Sequence, residues 1–310
     1  MQITLPPPPN KTILCTGQCN IETIALVDRL PPPDTTLELK HFTIQGGGVA
    51  ATACVTLARL GVNTRFIGKI GDDDNGDQIR RTLGADGVET SRMIVQPRGV
   101  TQFSFALVEK GTGRRSTFWT AGSVSEAAPE EIDPDAALEG VDVVFIDGQH
   151  PTAQLTLARA AKARGVAVVF GATTMCANAQ ALVEASSILI ASERFTSQCS
   201  GIGRPKDALT ALHTLGPELV VITMGAEGSM GSNGEAVWHQ RPGEPRAVVD
   251  NVGAGDIYRG AFTYAWAAGA DLKVCMQTAT AAATLSLQGL GPRANLPGRH
   301  DLQQALENLR

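Results

Sequence analysis

From Val141 onward, short apolar runs alternate with longer stretches of helical periodicity. V-D-V-V-F-I-D, V-A-V-V-F-G, S-I-L-I-A and E-L-V-V-I-T-M-G are rich in β-branched residues and apolar at consecutive positions, as in strands covered on both faces. Helices are predicted between them over Thr152 to Arg164, near Ala177 to Ala185 and near Lys206 to Leu215. This rhythm predicts a parallel sheet with helices on both faces, in which ligands lie at the carboxyl ends of the strands. Asp147, Gly171, Ser192 and Thr223 to Gly225 fall at such ends.

The first half of the chain is more varied. Pro6 to Pro9 form a stiff lead-in, and T-I-L-C-T-G (Thr12 to Gly17) reads as a buried strand opening into a loop. After Gly46-Gly47-Gly48, the positions Ala50, Ala53, Cys54, Leu57, Ala58 and Leu60 have helical spacing, and Gly61 ends the run. A second, amphipathic helix passes through Ile79 and Leu83. Period-2 alternation marks Leu37 to Gln45 and returns between Arg92 and Gly122, with a K-G-T-G turn at Lys110 to Gly113. The second region reads as an antiparallel meander with one apolar face that nothing local covers. It is expected either to pair with the Leu37 strand as a small sheet over the active site or to meet a second subunit. The whole pattern predicts an α/β fold, doubly wound and mostly parallel, with a small antiparallel β lid from about 35–45 and 92–122, in one domain over residues 1–310.

Composition narrows the function classes. The chain has 310 residues, 43% hydrophobic and 18% charged, with a net charge of −5 and no basic run, which argues against nucleic acid as a partner. The start M-Q-I-T-L-P-P-P-P-N has no charged n-region, and no apolar run approaches the ~18 residues of a membrane span. A cytoplasmic protein without a membrane partner is expected. Six scattered cysteines without a C-x-x-C pair point to reduced thiols rather than a metal knuckle, and Cys15 and Cys19 read as buried.

The chemistry gathers in Asp250 to Ala268, D-N-V-G-A-G-D-I-Y-R-G-A-F-T-Y-A-W-A-A. Ile257, Tyr258, Ala261, Phe262 and Ala265 form a helical stripe, so a helix starts within Gly253-Ala254-Gly255. First-turn amides with no side chains in the way, together with the helix dipole, suit an anion. Asp256 would repel phosphate, so its place there suits a base that accepts the proton of a substrate hydroxyl. The other reading is a capped helix start in which Asp256 compensates the dipole. Neither G-x-x-x-x-G-K-[ST] nor a G-x-G-x-x-G after the first strand occurs, so neither of those nucleotide loops is present.

G-G-G-V-A-A-T-A-C-V-T-L-A-R-L-G at 46–61 with G-K-I-G-D-D-D-N-G at 68–76, and D-N-V-G-A-G-D-I-Y-R-G-A-F at 250–262, resemble the two signatures of the ribokinase-like (PfkB) carbohydrate kinases. V-I-T-M-G-A-E-G-S at 221–229 resembles their nucleotide-phosphate strand, and the wording is most similar to ketohexokinase-like and sulfofructose-kinase-like branches. The resemblance implies an ATP-dependent sugar kinase with Asp256 as base and Gly253, Ala254 and Gly255 as the anion hole. It implies ATP contacts at Ser192, Thr223, Gly225 and Gly228 and an adenine-flanking segment from Ala282 through Gly289 to Gly291. It also implies a monovalent-cation site, expected to take K⁺, on the carbonyls of Asp250 and Val252, Mg²⁺ with ATP, and a homodimer through the lid.

Several positions depart from the family pattern. The sugar-gripping aspartate is Glu22, an asparagine is Ala51, and the Mg²⁺-organising N-x-x-E reads Ser192-Glu193-Arg194-Phe195, leaving Glu193 or solvent to serve the metal. Asn251-Val252 replace a pair of threonines. Glu22, Gly46, Gly47, Gly48 and Gln149 are expected to hold the sugar. Asp147-Gly148-Gln149 offers no basic side chain, so a neutral ketose or similar polyol is expected over an anionic sugar. The alternatives are a nucleoside stacked on Phe103, Phe105, Phe118 or Trp119, and a non-catalytic binding relative.

Overall fold

The computed structural model describes residues 3–39, 41–112 and 114–309; Lys40 and Gly113, placed above in a strand and a turn, lie outside them. The first strand, β1 (Thr12–Thr16), is followed by β2 (Asn20–Val27), β3 (His41–Gly47), α1 (Val49–Arg59), β4 (Asn63–Ile67), β5 (Lys69–Gly71), α2 (Asp74–Ala85), β6 (Ile94–Gln96), β7 (Phe103–Glu109) and β8 (Arg115–Thr120). The strand and helix alternation then runs through α3 (Pro134–Leu138), β9 (Val143–Ile146), α4 (Pro151–Ala163), β10 (Ala167–Ala172), α5 (Ala179–Ala185), β11 (Ile188–Ser192), α6 (Glu193–Ser200), α7 (Pro205–His213) and β12 (Leu219–Thr223). Two short strands, β13 (Ser229–Ser232) and β14 (Val237–Gln240), precede α8 (Ala254–Ala267), α9 (Leu272–Ser286) and α10 (Arg299–Glu307).

The main sheet has eight strands in the order β14-β13-β12-β11-β10-β9-β1-β4. The six from β12 to β4 are parallel, and β13 and β14 join by antiparallel pairing. Its strands divide their side chains between two cores. Ile13, Val143, Phe145, Ile188 and Ile190 pack with α1, α8, α9 and α10, while Leu14, Val144, Ile146, Leu189 and Ala191 pack with α3 to α7. This is why the strands read as continuous apolar runs. The shared direction brings the ends of β1, β9, β10, β11 and β12 to one edge.

The second sheet departs from expectation. Its order is β3-β2-β7-β8, so β2, which the sequence reading left out, separates the meander from the strand before the glycine run. β7 and β8 are antiparallel, but β7 pairs with β2 in parallel. The strand near Leu37 begins only at His41, and Leu37 and Leu39 are exposed outside any strand. β6 joins β5 in a separate two-stranded sheet instead of the meander. One face of the four-stranded sheet buries Ile24, Ala106 and Val108 against Leu290. The other exposes Phe42, Ile44, Phe103 and Phe118.

Candidate active site

Helix α8 starts as its sequence requires. Gly253 is its N-cap at φ 75°, a left-handed conformation, and a Cβ there would lie 2.8 Å from Cα and Cβ of Pro292. No side chain caps this end. The Asp256 and Ile257 amides donate to Gly253 O at 2.9 Å, whereas those of Gly253 and Gly255 have no hydrogen-bond acceptor among the described residues. The amides facing the turn are therefore open to an external anion.

Asp256 follows within the first turn, its side chain 18% exposed and 3.4 Å from Nη1 of the buried Arg259. Arg259 Nη2 donates to Ala172 O at the end of β10, which ties the helix start to the sheet edge. Burial pushes the Asp256 carboxyl up to about 6, with Asp147 and Glu22 adding to the rise and Arg259 and Arg293 opposing it. Desolvation is the leading cause because the charged form loses water.

Near this helix start, Gly47 passes close to two polar side chains: a Cβ there would meet Glu22 Oε1 at 2.4 Å and Asn20 Oδ1 at 2.8 Å. Asn20 Oδ1 is buried with no hydrogen-bond partner among the described residues, an acceptor aimed at the glycine loop and left unmet. Glu22 is paired instead with Arg115 of β8. Gly48 starts α1, and Gly46 makes room for Arg293, which braces Gly47 O at 3.3 Å from behind. Asp147 accepts from the amides of Gln18, Ala50 and Gln149 and from Gln154 Nε2, so its oxygens are taken up in fixing the strand ends. A cavity of about 410 Å³ opens here, lined by Gln18, Val49, Asp147, Gln149 and Thr173 among others, with no basic side chain on its wall. Gln149 thus reaches the cavity, whereas Ala51 is fully buried in the core.

A larger cavity, about 1090 Å³, lies between the loop after β14 and the ends of α9 and α10, with Arg241, Arg246, Thr284, Leu285 and Gln288 on its wall. Ala282 does not reach it, being fully buried in the core, and Gly289 packs against Asn295. Ala281, Thr284 and Gln288 of the same stretch line the cavity instead. Thr223 ends β12 half-buried, with Oγ1 donating to Ala191 O, and Gly225 opens the following turn at φ 59°. Gly228 serves the strands themselves, since a Cβ there would lie 2.1 Å from Gln240 O. Ser192 is occupied as the N-cap of α6, donating to Thr173 O and accepting from Phe195 N.

The described geometry matches that of known proteins. The model of the pfkB family carbohydrate kinases matches residues 10–299. The chain belongs to that family. It is 27% identical to a nucleoside kinase of Methanothermobacter thermautotrophicus over 93% of both chains. It is 27% identical to the ribokinase of Bacillus subtilis over 96% of this chain and 99% of that one. The structure of Arabidopsis thaliana ribokinase with ribose and ATP superposes with a TM-score of 0.81 at 25% identity, covering 97% of this chain and 99% of that one. This pfkB kinase is a phosphotransferase with a hydroxyl acceptor. No described helix is long and apolar enough to cross a membrane.

The fold explains two departures in the kinase's motifs. Phe195, at the last position of the N-x-x-E element, is fully buried edge-on against Phe170 and belongs to the core. Glu193 stands exposed in the first turn of α6, and no cluster of three or more His, Cys, Asp or Glu side chains placed for a metal occurs among the described residues. By contrast, the carbonyl oxygens of Asp250 and Val252 accept no hydrogen bond among the described residues, as a carbonyl-built cation site requires. The sequence reading missed Asn20, Arg115 and Arg259. Asn20 was detectable as an amide two residues before Glu22; Arg115 was not, because nothing local distinguishes it from Arg114.

Proposed function

We propose that this kinase transfers the γ-phosphoryl group of ATP to a hydroxyl of a small neutral polyhydroxylated acceptor, a ketose such as fructose or a related sugar. The observation that carries the reading is Asp256 beside the open amides of Gly253 and Gly255, tied through Arg259 to the end of β10, the sheet edge on which the 410 Å³ cavity also opens. Asp256 accepts the hydroxyl proton as the new O–P bond forms. The bond to the bridging oxygen breaks, and ADP departs. The transition state is loose, so placement by the amides matters more than base strength. Mg²⁺ bound with ATP would supply charge neutralisation for the phosphates, and Glu193 is the side chain that could help to hold it. K⁺ on the carbonyls of Asp250 and Val252 would stiffen the turn leading into α8.

The described residues lining the 410 Å³ cavity carry no basic side chain, and the guanidiniums beside Glu22 and Gly47 are already engaged, Arg115 by Glu22 and Asp250 and Arg293 by Gly47 O, which supports a neutral acceptor over an anionic one. Asn20 Oδ1 and Glu22 both accept hydrogen bonds and suit sugar hydroxyls. A nucleoside is the second reading. Gln45, Glu22, Ser104 and Trp119 are register partners and share one face, whereas Phe105 and Phe118 pair on the opposite face. Trp119, 67% exposed, is thus the aromatic available to stack on a base. ADP release over ketoses, aldoses, sugar acids and nucleosides, in Mg²⁺ with and without K⁺, tests the reading. Stimulation by a neutral sugar supports it; tight preference for an anionic hexose contradicts it, and no stimulation by any acceptor returns the chain to a binding role.

Two further outcomes are expected. Because a protonated Asp256 cannot accept the hydroxyl proton, kcat/KM falls as pH drops through about 6, with one proton per site; a flat profile from pH 5 to 7 would contradict the assignment. The exposed Phe42, Ile44, Phe103 and Phe118 face fits a homodimer in which two of these sheets cover one another. Phe118→Glu is then expected to halve the mass measured by light scattering.

A further inference from the structure

Arg115 is the first residue of β8, and every polar atom of its guanidinium is engaged. Nε donates to Thr117 Oγ1 at 2.9 Å, Nη1 to Asp250 Oδ2 at 3.1 Å and Nη2 to Glu22 Oε2 at 2.8 Å. Asp250 is in turn fixed on both oxygens, Oδ1 accepting from Val252 N and Oδ2 also from Gly291 N, each at 3.1 Å. The Asp250 side chain is fully buried, so its charge needs this partner. One guanidinium thus joins four segments: the outer strand of the small sheet, the strand carrying Glu22, the turn entering α8, and the loop at Gly291. Only a planar fork spans two carboxylates in this way; an ammonium is a point charge.

We propose that Arg115 is a positioning residue for phosphoryl transfer, tying the acceptor-side carboxylate Glu22 to the phosphate-holding turn through Asp250. Acceptor binding at Glu22 and the placement of the Gly253 and Gly255 amides are then set together by a side chain on the sheet that covers the acceptor. The inference rests on the acceptor role of Glu22 proposed above. It also bears on the base. The charged groups facing Asp256 are Arg259 on its own helix, Asp147 after β9, Glu22 on β2 and Arg293 on the loop after Gly291. Without Arg115 the Glu22 charge is uncompensated and holds the Asp256 proton more tightly.

The test is steady-state kinetics on Arg115→Met and Arg115→Lys. For Arg115→Met we expect kcat/KM for the acceptor to fall about 10²-fold, with both kcat and acceptor KM affected and the ATP KM within about 3-fold of wild type. The acid limb of the pH profile should move upward, and Arg115→Lys should recover only part of the loss. Acceptor kinetics and pH limb unchanged in either variant, with only a lower Tm, would overturn the proposal. If the wild type turns over no acceptor, the catalytic reading has failed instead, and hydrogen exchange decides the tie. Exchange of the 253–256 amides about tenfold faster in Arg115→Met supports it. Loosening confined to β8 overturns it.

Discussion

Asp256→Asn is expected to lower kcat by about 10²- to 10⁴-fold, the usual contribution of a positioned general base. The change keeps shape and removes the charge together with the ability to take a proton. Binding of ATP should be little altered, since the amides of Gly253 and Gly255 remain. Stability should not fall in step with activity. Burial raises the folded pKa of Asp256 from 3.8 to about 6, so the folded state loses stability as pH rises through that window, and the cost is fully present above it. Asparagine removes the cost, at the expense of the 3.4 Å contact with Arg259. A variant with wild-type Tm and ADP release cut to background is therefore the expected result. Activity within about threefold of wild type would leave the capping reading of Asp256 standing.

The next largest effect is expected at Gly253. An alanine would sit at φ 75° with its methyl carbon 2.8 Å from Pro292, a backbone-anchored neighbour that has no flexible end to give way. Left-handed backbone alone costs roughly 1–2 kcal/mol for a residue with a Cβ. The clash then moves the turn, and misplacing the amides by about 1 Å lowers kcat by about 10²-fold. Gly269→Ala separates the two contributions. It has φ 87° with nothing within 4 Å of the added carbon, and it ends α8 at the far side from the site. It should lose similar stability and keep kcat, by thermal melts and steady-state rates on the same preparations. Equal kinetics in the two variants would mean that the Gly253 turn does not hold the phosphoryl group.

Much of this was legible in the chain because burial leaves a local periodic trace. The runs that became β9 to β12 are apolar at nearly every position because they face a helix layer on each side, and α8 announced its start by glycine and its face by Ile257, Ala261 and Phe262. Two spaced signatures named the family. The small sheet was harder. N-I-E-T-I-A-L-V mixes Asn20 and Glu22 among apolar residues, so its alternation is broken where it serves the site, and β2 went unread. Around Ala282 the chain alone did not set the helical phase: Ala282 is buried in the core, while Ala281, Thr284 and Gln288 line the cavity beside α9.

The sequence by itself determined the layers, the helix start that carries Asp256 and the kinase family, because each depends on residues within one or two turns or strands of one another. Only the tertiary structure decided which strand lies between β3 and β7, that Asn20 Oδ1 is buried without a partner among the described residues, and that Arg115 meets Glu22 and Asp250 from 93 and 135 residues away. Contacts over such separations are chosen by packing and by the need of buried charges for partners. Neither leaves a periodic mark on the residues that make them.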